Sequence, residues 1–311
     1  MTDYILKKLK HFFFSKKIII CLMLKWKDII KNWDTVLKTD RKSIIRSLKL
    51  GVPAKYRKYV WPLLTDAKKV KEKSEFDYQS LLKKSESERI IDCDVPRTFP
   101  NDPSFTEELR KSLRNVLVAY SNADPEVGYY QGMNFVAGLF LYYMDEEITF
   151  WSFYSLMQRS HRNFFINRFQ HFHEISPLIE YLVEEKFPSI SKLLKKQKIS
   201  PILYTPVWFI TCYIGSDLDF KMISFIFDQY LAFGEVILVS FGMTVISINK
   251  IIAETQPFDE FLSCLINPGR SDMMHNQVVV NLEWVNQWIT CSKYEKFCDI
   301  YLKKTQELDH T

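Results

Sequence analysis

From residue 25 onward, apolar side chains recur every three or four positions, and no long stretch alternates with period two. Trp26, Ile29, Ile30, Trp33 and Leu37 set the rhythm. Leu109, Leu113, Val116, Leu117 and Tyr120 repeat it. So do Ile175, Leu178, Ile179, Leu182 and Val183, and again Met222, Ile223, Ile226, Phe227 and Tyr230. Such spacing places one apolar stripe along one side of a helix, so the chain reads as all-α. Val236 to Ala253 is more continuously apolar and predicts a buried central helix. Prolines fall where helices should begin or end. Ser104 and Glu107, just after Pro103, have capping-box spacing and predict a helix start. Between about 160 and 173 the rhythm is broken by His161, Arg162, Asn163, Arg168, His171 and His173. That break predicts a seam between two packed helical halves, about 25–165 and 166–305.

Composition narrows the choice further. Only 8 of 311 residues are glycine, too few for the tight turns of an all-β fold or the Gly-rich loop of a doubly wound one. Three of the eight, Gly128, Gly132 and Gly138, fall within eleven residues, which marks a place of special backbone geometry. At 47% hydrophobic residues the chain can bury a sizeable core. The six cysteines show no CxxC spacing and no secretory signal precedes them, so reduced thiols in a cytoplasmic protein are expected. His171 and His173 lie two apart, on different sides of a helix, and no metal site is expected.

The formal charge of +5 is unevenly placed. Residues 1–27 hold seven lysines against Asp3 alone, which leaves the remainder close to neutral. A near-neutral body argues against a nucleic-acid surface spread over the domain. In residues 1–24 the longest uncharged apolar run, Ile18 to Leu24, has seven residues, whereas a membrane span needs about 20. Two readings of this segment stay open. It packs on the body or trails from it, or it is a basic membrane-surface segment that uses Phe12 to Phe14 and assists peripheral recruitment to endomembranes.

No P-loop, GxSxG, HExxH or kinase signature set is present, so the chain offers no complete active site of its own. Two short segments stand out instead. In Ile91-Asp92-Cys93-Asp94-Val95-Pro96-Arg97-Thr98-Phe99-Pro100, prolines stiffen the backbone around Arg97, and Asp94 is placed to orient its guanidinium. In Pro125 to Asn134, Gly128 and Gly132 flank a tip at which Gln131 stands before an apolar helix. Taken singly, Arg97 with Asp94 also fits a plain salt bridge, and Gln131 a helix cap.

Ile91-x-x-Asp94-x-x-Arg97-Thr98 and Tyr129-x-Gln131-Gly132-Met133 resemble the two signature motifs of the TBC-domain family of Rab GTPase-activating proteins. Gly51-Val52-Pro53 with Arg57 and Trp61 resembles the family's opening motif. Pro206-Val207-Trp208-Phe209 and Phe227-Asp228 through Gly234 resemble two later ones, with Phe227 where the family usually has Trp. The resemblance runs over roughly residues 25 to 300. It implies an all-α TBC-type domain of two helical subdomains, with both signature loops in its N-terminal half. It further implies that Arg97 serves as an arginine finger and Gln131 orients the attacking water on a Rab-type GTPase in its GTP form. Asp94, Thr98, Tyr129, Gly132, Met133 and Asn134 would position the fingers or bind the GTPase. Gly51, Pro53, Arg57, Trp61, Trp208 and Asp228 would be structural. GTP and Mg2+ would belong to the partner, with no cofactor on this chain. A TBC-like scaffold that binds a GTPase or another protein without speeding hydrolysis is the alternative.

Overall fold

The computed structural model describes residues 25–270, and within them every regular element is an α- or 3-10 helix. The basic segment 1–24 and the end of the expected domain, 271–305, lie outside the described residues. Residues 25–31 (α1), Trp33–Thr39 (α2), Arg41–Lys49 (α3) and Ala54–Leu64 (α4) come first. Ala67–Lys73 (α5) and Glu88–Asp94 (α6) lead to Glu107–Ala123 (α7), Met133–Tyr143 (α8) and Glu146–Met157 (α9). The second half holds Gln170–Lys186 (α10), Pro188–Lys196 (α11), Thr205–Ile210 (α12) and Phe220–Phe233 (α13). Val236–Ile248 (α14), Lys250–Thr255 (α15) and Phe258–Ile266 (α16) complete it.

Local chemistry sets several of these boundaries. Asp40 caps α3 by accepting from Ser43 N, and Asp219 caps α13 by accepting from Lys221 N. The cap of α7 is Thr106, which accepts from Leu109 N, and not Ser104. Ser104 N is already bonded to Asp102 Oδ1, and Glu107 enters the first turn, where it pairs with Arg110. The long apolar run splits in two. In α14 all thirteen residues but Ser247 are buried, and the chain breaks at buried Asn249 before α15.

One continuous core joins both halves, from Trp61 and Val116 to Phe241 and Leu265. A satellite cluster of Trp26, Ile29, Trp33, Ile44, Leu48, Val52 and Val60 holds α1 to α4 together. The break in apolar rhythm at 160–173 contains two 3-10 turns, Ser160–Phe164 and Asn167–Phe169. Arg162, His161 and His171 each find specific partners there. His161 is fully buried, its Nδ1 shares a 2.9 Å hydrogen bond with the Tyr230 hydroxyl, and burial pushes its imidazole down to about 3. Both His171 ring nitrogens are engaged, Nδ1 with Glu174 and Nε2 with Glu235.

The opening and late motifs meet in a single buried hub. Asp228, fully buried on α13, accepts from Val52 N at 2.9 Å, Arg57 Nε at 3.1 Å, Arg57 Nη2 at 3.0 Å and Trp61 Nε1 at 2.8 Å. Arg57 Nη1 donates onward to Tyr143 OH at 2.8 Å. Burial pushes the Asp228 carboxyl upward, and Arg57 opposes it. Every group facing the carboxylate is a donor, so an acid proton would find no acceptor; the ionised form is the one that fits. Gly51 turns the chain into this hub at φ +84°, where a Cβ would meet the Phe225 ring at 2.9 Å. Pro53 precedes α4 as its N-cap residue. Phe227 fills its aromatic position beside Trp61 and Phe140, with centroids 5.1 Å from each. Trp208 is buried and donates from Nε1 to Leu265 O.

Candidate functional site

The stiff segment before Arg97 is helical rather than a loop. α6 runs to Asp94 and tightens into a 3-10 turn over Val95–Arg97, with Pro96 in its first positions. A proline is tolerated there because the N–H it lacks has no helical partner. Arg97 emerges exposed at the end of this turn, between buried Val95 and buried Thr98. The turn's carbonyls are gathered by a residue not singled out by its sequence: Arg110 Nη1 donates to Val95 O at 3.2 Å and Thr98 O at 2.8 Å. Nothing in the spacing of α7 distinguishes Arg110 from its other polar residues; only the packing of α7 against the turn does.

The second segment starts from buried Asp124. Its carboxylate accepts Arg162 Nε at 2.8 Å and Arg162 Nη2 at 3.1 Å, and its backbone carbonyl accepts Gly128 N at 2.8 Å. Arg162 Nη2 also donates to Glu126. Gly132 then turns the chain at φ +107°, and a Cβ there would lie 2.4 Å from Ile210. Gln131 is exposed at this turn, while Met133 and Asn134 are buried. Exposed Tyr130 leans on Phe165 and Phe169, with centroids 5.7 and 5.3 Å away.

Four buried groups lace the two segments together. Tyr129 OH donates to Asp94 Oδ2 at 2.8 Å and lies 3.2 Å from Asn134 Oδ1. Asn134 Oδ1 accepts from Gly132 N at 3.0 Å, and its Nδ2 donates to Thr98 Oγ1 at 2.8 Å. Thr98 Oγ1 donates to Asp94 O at 3.0 Å, which closes the ring. Burial, then the hydrogen bond and charge of Asp94, push the Tyr129 phenol far above its ordinary range, so it stays a donor. The sequence-level role of Asp94 needs correction. Its carboxylate does not hold the Arg97 guanidinium; it is 4% exposed and turned inward to Tyr129. Among the described residues Arg97 makes no ion pair. Asp94, Thr98, Tyr129 and Asn134 therefore act on the backbones from which Arg97 and Gln131 project. Two exposed side chains thus stand on backbones braced by buried hydrogen bonds, an arrangement that lowers the entropy cost of ordering them.

Tyr129→Phe removes one hydroxyl from this lattice and leaves Asp94 buried without that donor. We expect a loss of about 1–3 kcal/mol in urea-unfolding free energy. Unchanged stability would mean the hydroxyl does not couple the two segments.

The site thus described is an arginine and a glutamine exposed on two turns whose backbones are cross-braced by buried hydrogen bonds. The Rab-GTPase-TBC domain family model matches residues 54–252, more than half of the chain. The chain belongs to this family. It is 27% identical over 282 residues to TBC1 domain family member whacked of Drosophila melanogaster, covering 88% of this chain and 77% of that protein. It is 30% identical over 230 residues to the human Ecotropic viral integration site 5 protein homolog, covering 72% of this chain and 28% of that much longer relative. The crystal structure of the Ypt/Rab-GAP domain of Gyp1p superposes with TM-score 0.70 at 17% identity, over 86% of this chain and 99% of that one. The Chlamydomonas flagellar RabGAP TBC domain gives 0.68 at 19% identity, over 84% and 93%. At such identities the two structures speak for the fold. Among the described residues no group of three or more His, Cys, Asp or Glu could hold a metal, and no helix is long and apolar enough to cross a membrane.

Proposed function

We propose that this chain stimulates GTP hydrolysis by a Rab-type small GTPase in its GTP form, with Arg97 and Gln131 entering the partner's site. The reading is carried by one observation: the ring of Asp94, Tyr129, Asn134 and Thr98, which braces the backbones of the two exposed side chains against each other. In phosphoryl transfer, negative charge spreads over the transferred group and the leaving oxygen, while the nucleophile must be held in line. Arg97 supplies a delocalised cation with a planar fork of donors for that charge. Gln131 offers a carbonyl and an amide with which to hold and orient a water. The GTP and its Mg2+ are the partner's. A Rab-type partner places the activity in vesicle and membrane traffic, at the cytoplasmic face of endomembranes.

Single-turnover phosphate release from a panel of GTP-loaded Rab proteins tests this. At least one member is expected to be accelerated by about 10³-fold or more, the scale on which arginine fingers act. Binding to a GTP-loaded Rab with no acceleration across the panel would leave the chain as a scaffold.

A further inference from the structure

The near-neutral charge of residues 28–311 is the sum of two opposed parts. Residues 28–60 hold nine Lys and Arg against three acids, a net of +6, whereas residues 61–311 carry −7. Most of the described share of this excess sits on the outward faces of α3 and α4. On α3, Ile44, Ser47 and Leu48 are buried, and Lys42, Arg46 and Lys49 project from the opposite side. On α4, Arg57, Val60 and Trp61 are buried, and Lys55, Lys58 and Tyr59 face outward. None of these five exposed cations forms an ion pair among the described residues, whereas Lys69, Lys71 and Arg159 elsewhere on the surface do. The neighbouring acids are few: Asp40 is spent capping α3, and Asp28 and Asp34 are the others in the described part of this region. Two large apolar side chains stand among the cations, Leu50 at 46% and Tyr59 at 49% exposure.

We infer that the outward faces of α3 and α4 form a docking surface for a bilayer carrying anionic phospholipid. Unpaired cations attract such a surface over about a Debye length, and each is worth about fivefold in partitioning close to it. Tyr59 and Leu50 suit the interfacial layer, where a ring with one polar end or an isolated aliphatic group leaves water without entering the hydrocarbon centre. A nucleic acid would use the same charge but gains little from an exposed leucine. The sequence upstream, with five more lysines and Phe12 to Phe14, extends the same chemistry along the chain. Neither Arg97 nor Gln131 belongs to this surface, so membrane docking and the proposed catalysis fail independently.

The test is co-sedimentation of the full chain with vesicles of 30% phosphatidylserine in phosphatidylcholine, beside pure phosphatidylcholine vesicles. Wild type is expected to bind the anionic vesicles, to ignore the neutral ones, and to be released as salt rises from about 0.1 to 0.5 M. The full-length variant Lys42→Glu/Arg46→Glu/Lys49→Glu/Lys55→Glu/Lys58→Glu should lose at least about a hundredfold in partitioning. It should keep wild-type helical circular dichroism and soluble GTPase stimulation. Should it misfold, the milder Lys42→Gln/Arg46→Gln/Lys49→Gln variant should still lose about tenfold or more. Lys192→Glu/Lys196→Glu on α11 should bind as wild type does. Equal binding by the charge-reversed chain, equal loss in the α11 control, or tighter capture of a single-stranded oligonucleotide than of the vesicles would each overturn the assignment.

Discussion

Arg97→Ala is expected to lower the stimulated single-turnover rate by about 10³-fold or more, equivalent to roughly 4 kcal/mol of transition-state stabilisation. Arg97→Lys should recover little of it. An ammonium keeps the charge but is a compact point donor, whereas the guanidinium bridges two oxygens at once. Gln131→Ala should also lose most of the rate, because nothing else on its turn would hold the water in line. Should the two side chains act as one unit, the double variant will be little worse than either single one. Affinity for the GTPase trapped with a γ-phosphate mimic should fall more than affinity for its GTP form, since the contacts are strongest where charge has developed. Both residues are exposed and make no ion pair among the described residues, so melting temperatures should stay within a few degrees of wild type. Near-wild-type rates for Arg97→Ala and Gln131→Ala on a responsive GTPase would remove the finger mechanism.

Asp228→Asn should produce the largest loss of stability, about 3–5 kcal/mol, or on the order of 10 °C in melting temperature. The substitution turns an acceptor site surrounded by four N–H bonds into one in which an amide NH2 confronts donors, and it strands the buried Arg57 guanidinium. The damage should reach across the fold, because this carboxylate ties the α3–α4 junction to α13 over more than 170 positions of sequence. Asp66→Asn provides the contrast. Asp66 also accepts from two cations, Lys69 and Arg159, but its side chain is 44% exposed, so its loss should cost under about 1 kcal/mol. Thermal unfolding of the two variants side by side decides the point; equal effects would mean the hub is no more than a surface pair.

The helical class was legible in the sequence because amphipathic periodicity is a local property. The stripes through Leu109 to Tyr120 and Met222 to Tyr230 each became a helix with those residues turned inward, whereas the first stripe is split at Asn32 between α1 and α2 and leaves Leu37 exposed. The position of Gln131 was marked in a similar way, since Gly128 and Gly132 permit the positive φ that both adopt. Local signals misplaced what depended on competition. Ser104 was a plausible cap until Asp102 engaged its N–H and Thr106 took the role. Prolines near Arg97 signalled stiffness, yet they could not tell a helical turn from an extended loop. Only the tertiary structure decided the partners of buried charges. Asp94 stands three residues from Arg97 and yet bonds Tyr129, 35 positions away, because the fold turns its carboxylate inward while the guanidinium stays in water. Arg110, Arg162 and Asp228 owe their roles to the same cause. A polar group taken out of water must find a partner wherever packing brings one, and distance along the chain carries no information about where that is.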